Sequence, residues 1–304
     1  MRIYGLLTTF PLALALTTPA QAQIQSLPSQ TATPKPTTDD SGFVAPDGQL
    51  GAGLTFDDAQ RGRVYGDIAL MHKEPGGGTH FTSLTFLLGG AFKVIPSLEI
   101  EAFLPFGWVQ GGGGGGGNQD AAAVANAHVG ASYLTRGDHW RLKIGGAVEW
   151  GPWAHDLSIV PTAALTAGYA AWGGQDRGLW APDTFTIVAP ARFEYGDTFV
   201  ATADASIGLH IPTNGGDTEL SLQIAPGFGY YVTDALIVGA RFPFAWVPTA
   251  DGDNTFVSEE PYLRYNFGPA YVSTRVTVNL DQPFGFGFDS VGFWAWHVAG
   301  GASF

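Results

Sequence analysis

The side chains best placed to do chemistry in this sequence are His128, His210 and His297, a scatter of carboxylates and a few serines. A serine nucleophile needs a base and a set of oxyanion donors. No Gly-x-Ser-x-Gly elbow occurs, and the three histidines fall on separate segments. A metal centre would want closer ligand spacing, such as two histidines four apart, and Cys 0 removes thiolate ligands and disulfides alike. The Gly111–Gly117 run invites a phosphate-cradle reading, but no Lys-Ser/Thr follows it, so it reads as a flexible external loop. A barrel lipase or protease is therefore the weakest functional class, and no cofactor or metal is implied.

These residues sit on segments about ten residues long that alternate apolar and polar side chains, the period of a β-strand. Trp140, Leu142, Ile144, Gly146, Val148 and Trp150 alternate with His139, Arg141, Lys143, Gly145, Ala147 and Glu149. Similar alternation runs through Phe199–His210, Glu219–Ile224 and Tyr271–Asn279. A soluble sandwich would alternate too, and the large aromatics separate the two readings. Trp140 and Trp150 open and close one apolar face. Ten residues at about 3.3 Å each, tilted near 40°, rise about 25 Å, the height of a barrel's lipid band between its aromatic girdles. Trp294 and Phe304 repeat the spacing, and Trp246 is a further girdle candidate.

Composition agrees. Charged residues make up 13% of the chain, about half the roughly 25% of soluble domains. Aromatics reach 13% while mean hydropathy is only +0.08. Beyond the N-terminus no uncharged run approaches the roughly 20 apolar residues of a spanning helix. A net charge of −13 argues against nucleic acid as a partner. Arg2, the apolar Leu6–Leu16 stretch and Ala20-Gln21-Ala22 form a cleavable signal peptide over residues 1–22. Residues 23–47, rich in Gln, Ser, Thr and Pro, read as a disordered periplasmic lead-in, and 48–304 as the folded body.

The last residues, Trp294, Trp296, Val298, Gly300, Ala302 and Phe304, form one alternating face that ends on an aromatic. In its signal peptide, alternating body and terminus the chain resembles bacterial outer-membrane β-barrel proteins of the porin-like superfamily. It departs from them at Ala302, where such termini usually carry a large apolar residue. The resemblance implies an all-β fold, a transmembrane antiparallel up-and-down β-barrel in the bacterial outer membrane. Its partners would be outer-membrane lipid and lipopolysaccharide, with the barrel-assembly machinery reading the C-terminal strand.

Short turn-rich connections alternate with longer Gly-, Asp- and Asn-rich ones, as short periplasmic turns alternate with external loops in such barrels. Parity holds at about twelve strands if residues 151–182 form one long external loop. Pro161, Leu165, Tyr169 and Trp172 recur there at helical spacing, so the loop should contain a short helix and act as a lid or constriction. An extra hairpin made with residues 48–57 is the alternative.

Phasing each strand by its apolar face gives an inward set. Its bases are Arg141, Lys143, Arg192, Arg241, Arg264 and Arg275. Its acids are Asp67, Glu99, Glu101, Glu149, Glu194, Asp204, Glu219, Glu260 and Asp289. Asn126, His128, His210, Gln223, Tyr262, Asn279 and His297 add polar groups. Unpaired charges in a dry core would cost several kcal/mol each, so the set implies water inside. The excess of acids leans towards cations. External loops, with Asp176 and Asp183 among many aspartates, read as plainly solvated. The expected function is a passive diffusion channel for small solutes or ions, and the alternative is a closed barrel that serves as an anchor through its loops.

Overall fold

The computed structural model describes residues 61–73, 80–113, 116–154, 157, 159–249, 254–281 and 293–304. The signal peptide, the lead-in, the candidate hairpin segment 48–57 and Asp289 lie outside them.

In chain order the elements are β1 (Gly62–Lys73), β2 (His80–Ile95), β3 (Leu98–Gly113), β4 (Gly116–Val124), β5 (Ala127–Arg136) and β6 (Trp140–Trp150). Helices α1 (Ile159–Ala171) and α2 (Arg177–Trp180) follow. Then come β7 (Thr184–Gly196), β8 (Phe199–Pro212), β9 (Glu219–Tyr231), β10 (Leu236–Arg241), β11 (Phe244–Trp246), β12 (Thr255–Phe267), β13 (Ala270–Asn279) and β14 (Trp294–Ser303).

β4 and β5 are one strand interrupted at Ala125 and Asn126, since both pair with β3. β10 and β11 are likewise one strand between β9 and β12. Its interruption contains Pro243, which has no N–H for the ladder. Counted this way the barrel has twelve strands, each antiparallel to its neighbours. β1 pairs with β14 from Arg63↔Ser303 to Met71↔Ala295 and closes the cylinder.

Tight connections at 96–97, 137–139, 197–198, 232–235 and 268–269 all lie at one end. Both ends of the described barrel meet there, Arg61 N donating to the Phe304 carbonyl at 2.7 Å. The long connections, including 151–183, lie at the other end, the external side in barrels of this class. The Gly111–Gly117 run behaves differently from the loop expected of it. Gly111–Gly113 ends β3 and Gly116 begins β4, so most of the run extends a hairpin, with Gly111↔Gln119 and Gly113↔Gly116 in register.

Side chains alternate across the wall as the sequence does. Ile144, Val148, Ile207 and Val298 are exposed on the outer face, with no packed layer over them among the described residues. Trp150, Trp246 and Trp294 face outward at the loop end, and Phe304 at the turn end. Trp140 is partly exposed at the turn end. That lower girdle also includes Tyr133, Tyr195, Phe199, Tyr230 and Phe267, all outward and exposed. If the outer face meets hydrocarbon, Ile144→Lys near mid-height should lower unfolding stability in lipid vesicles by about 2–4 kcal/mol. A change within about 0.5 kcal/mol, the usual result at a water-exposed site, would show that this face is not in lipid.

Candidate functional site

Twelve strands about 4.8 Å apart and tilted about 40° close a backbone cylinder about 24 Å across. Inward side chains narrow that bore to roughly the diameter of one α-helix, about 10–12 Å. Two arrangements fill it, one in each half.

In the turn-side half, charges pair around the wall. Asp67 accepts from Arg275 Nη1 at 2.7 Å and from His297 Nδ1 at 3.1 Å. Arg63 donates to Glu99 at 2.6 Å, and Lys143 Nζ bridges Glu99 at 3.0 Å and Glu101 at 2.6 Å. Arg192 sits 2.9 Å from Glu194 and 3.5 Å from Asp204. Arg241 then joins Asp204 at 3.1 Å to Glu260 at 2.7 Å. Arg141 lies at the turn-side rim, half-exposed and 3.9 Å from Glu194. Several of these pairs skip a strand, β1 to β3 and β8 to β10 for example, because side chains converge on the inside of a tightly curved wall. Arg264 is fully buried, its guanidinium 3.6 Å over the Tyr271 ring and donating to Asn266 at 2.8 Å.

The balance of signs differs from the acid excess read off the sequence. Arg63 and Lys93 are also buried on the inner face. Glu219 sits at the loop-side rim, half-buried and paired with Arg177. The described lumen is close to charge balance, which removes the argument for cation preference. Glu101 Oε1, Ser132 Oγ and Asn279 Oδ1 are buried without a hydrogen-bond partner among the described residues. Such atoms demand water, which fits a hydrated lumen.

In the loop-side half, the segment 159–183 of the long connection turns inward. The expected helix is there, with Pro161 in its first turn, but it lies within the bore. α1 carries no charge and is built largely of Ala and Gly. It packs on the inner faces of β1 to β4, where Ala69, Met71, Leu87, Phe103, Val109 and Ala123 make an apolar wall. Ala164 approaches β3 so closely that a Cβ on Gly107 would stand 2.6 Å from its carbonyl oxygen. Leu165, Tyr169 and Trp172 are all buried. Gly173 and Gly174, at φ +63° and +75°, carry the chain across the bore to Ser258 and Phe256 on β12. α2 then lies against β6 and β7. From wall to opposite wall, the segment crosses the lumen as a plug.

Polar attachments hold it. His297 Nε2 donates to the Ala171 carbonyl at the end of α1, at 3.0 Å. Asn126 Nδ2 donates to Gly178 O at 2.7 Å and Ala181 O at 2.8 Å, while its own N–H takes Leu179 O at 2.9 Å. Arg177 Nε donates to Glu219 at 2.8 Å. Asp176 departs from the solvated loop residue expected. It is buried, in left-handed conformation at φ 53°, and its Oδ2 has no hydrogen-bond partner among the described residues. Burial first, and then the Glu149 carboxylate, push its carboxyl well above the usual carboxylate range.

The three histidines do not converge. His128 is buried, stacked on Phe103 and hydrogen-bonded to Glu149 at 3.0 Å. His210 lies between Thr186 at 3.0 Å and Ser221 at 2.8 Å. That Ser–His–Thr chain has the order of an acyl-transfer relay, and Ser221 was not singled out by its sequence context. Its third member is a hydroxyl, which gives an imidazolium less support than a carboxylate would. Ser221 is also only 2% exposed. Among the described residues no cluster of three or more His, Asp and Glu side chains is arranged to hold a metal ion.

Lys143→Met would leave Glu101 buried without its paired cation, while Glu99 keeps Arg63, and should cost about 3–5 kcal/mol in urea unfolding. Adding Glu101→Gln should recover most of the loss. No recovery would mean that the belt is not held by charge pairing.

No family model matches the chain, and no curated protein matches it. Among solved structures it is similar to an outer membrane channel from Pseudomonas putida F1, with TM-score 0.53 and 12% identity over 82% of this chain and 98% of that one. Others are the β domain of the Bordetella autotransporter BrkA (TM-score 0.48, 13% identity, 81% of this chain and 100% of that one) and the KdgM porin in complex with disordered oligogalacturonate (TM-score 0.45, 8% identity, 80% and 99%). At 12% identity the likeness to the Pseudomonas putida F1 channel concerns architecture, and with the closed twelve-strand cylinder and its outward aromatics it identifies the chain as having the fold of the bacterial outer-membrane β-barrel proteins.

Proposed function

We propose that the protein is an outer-membrane channel for small solutes or ions whose described state is shut by the 151–183 plug. The observation that carries this reading is the contrast between the two halves of the lumen. A belt of charges with unmatched polar atoms lines a hydrated passage, and one removable loop segment blocks it. A barrel needed only as an anchor gains nothing from a wet interior, which paired apolar side chains would stabilise as well or better. The close balance of fixed charges supports weak selectivity by sign.

Lipid and lipopolysaccharide against the outer face, assembly through the β14 terminus and a periplasmic lead-in belong to the same proposal. One observation favours the anchor as a second reading. The plug is well packed, with Leu165, Trp172 and Trp180 almost fully buried, as a permanent filling would be.

Planar-bilayer recordings separate the two. The refolded wild-type barrel should conduct rarely or at low level, and deletion of residues 157–174 should give large, steady conductance. Silence from a correctly folded deletion variant would favour the anchor.

A further inference from the structure

His297 contacts the plug in a way that constrains its protons. Its Nε2 faces the Ala171 carbonyl at 3.0 Å, and a carbonyl only accepts. Nε2 also lies 3.3 Å from Thr277 Oγ1, whose proton is given to Glu260 at 3.0 Å, so that oxygen is an acceptor too. Its Nδ1 faces Asp67 Oδ1 at 3.1 Å, and Asp67 is held as a carboxylate by Arg275 at 2.7 Å. Both ring nitrogens therefore face acceptors, and the ring satisfies both only when it carries two protons. The imidazolium so formed stands at the C-terminus of α1, where positive charge is favoured. Trp172 packs edge-on against it, with centroids 4.8 Å apart.

The second attachment reads the same way. Asp176, at the entry to α2, lines one narrow polar space with Glu149 on β6 and lies within electrostatic reach of Asp204 on β8, Arg241 on β10 and Glu260 on β12. His210 and Gln223 line the same narrow polar space, and Arg177 beside Asp176 is turned to Glu219 on β9. One cation among three carboxylates gives a buried fourth carboxylate little support. The neutral acid suits the site, and burial and Glu149 raise the carboxyl in that direction. Ionised, Asp176 would be driven out towards water, and the glycines at 173 and 174 precede it in the chain.

We propose that protons on His297 and Asp176 latch the plug inside the lumen, and that their loss releases it. The gating built on this latch rests on the channel reading above. Both groups act with the same sign. The docked state binds the proton more tightly than the released state, so docking is strongest in acid. For Asp176 the preference fades as pH rises from the ordinary carboxylate range towards its raised value. For His297 the preference rests on its two acceptors, which only the doubly protonated ring satisfies together. Titration of Asp176 changes the docked-to-released ratio by up to tenfold per pH unit within its window.

The chain has no cysteine, so one introduced at Ala167, 3% exposed on α1, reports plug position. Its labelling by a membrane-impermeant maleimide, divided by that of Thr213→Cys on an exposed loop, cancels the thiol's own pH dependence. The ratio should rise at least tenfold from pH 5 to pH 8. Its pH dependence should vanish in an Asp176→Asn, His297→Gln background, which has no titrating group at either contact. An unchanged ratio in the otherwise wild-type barrel overturns the latch, whether or not the double variant folds. Conductance of the 157–174 deletion variant, measured alongside, tests the other reading. A flat labelling ratio with a conducting deletion variant removes the latch and leaves the channel. A rising ratio with a silent, folded deletion variant removes the channel and leaves a moving plug.

Discussion

A main chain in hydrocarbon finds no water, so every N–H and C=O must bond to another part of the protein. Here that demand is met by closing β1 onto β14, and the two interruptions in the ladder show how strictly it is met. At the first, Ala125 N–H takes Pro105 O at 3.0 Å and Asn126 N–H takes Leu179 O at 2.9 Å. At the second, Phe242 N–H takes Pro226 O at 2.8 Å. Leaving such groups unmatched would cost several kcal/mol each. The first interruption does more than avoid that cost. By bonding α2 rather than a neighbouring strand, Asn126 makes a gap in the barrel wall into an anchor point for the plug.

Closure also fixes which side chains face outward and which line the bore, because a strand slipped by one residue would exchange the two sets. The inner set is not uniform along the bore. On β1, Asp67 is followed inward by Ala69 and Met71, and on β3, Glu99 and Glu101 by Phe103 and Val109. The charged positions form the ion-paired belt, and the apolar ones form the wall on which α1 rests. The plug's chemistry matches that change. It has small uncharged residues where it meets the apolar wall and an aspartate and an arginine where it reaches the polar side.

Much of this was legible in the sequence, and the reasons are physical. A period of two with aromatics at both ends of a face specifies strand, lipid face and height together, so the barrel, its twelve strands and the helix in the 151–182 connection could all be read. Depth could not. An all-round apolar helix such as Ile159–Ala171 is buried somewhere. Nothing in its own residues tells whether it caps the mouth or enters the bore, because the deciding complement, Ala69, Met71 and Gly107, lies on other strands. For the same reason Asp176 read as one solvated loop aspartate among many. The charge balance shifted through Arg63 and Lys93, which sit near strand ends where the inward phase is hardest to assign. Ser221 gave no signal, since its partners His210 and Thr186 come to it only through the pairing of β7, β8 and β9.

The helix and the docked plug are one equilibrium. A thirteen-residue helix is marginal alone in water, even with good helix formers. α1 has no charged pair and no acidic group in its first turn to stabilise it there. It forms because the lumen wall buries it, so leaving the lumen means losing helical structure as well as contacts. The apolar burial of Leu165, Tyr169 and Trp172 supplies most of the attraction but is indifferent to solution conditions. The chain entropy regained on release opposes it with a term of comparable size. When two large terms nearly cancel, a few polar contacts set the outcome, each worth about 1–3 kcal/mol when one partner is charged. Asn126, the Arg177–Glu219 pair and the His297–Ala171 contact hold that position in this fold.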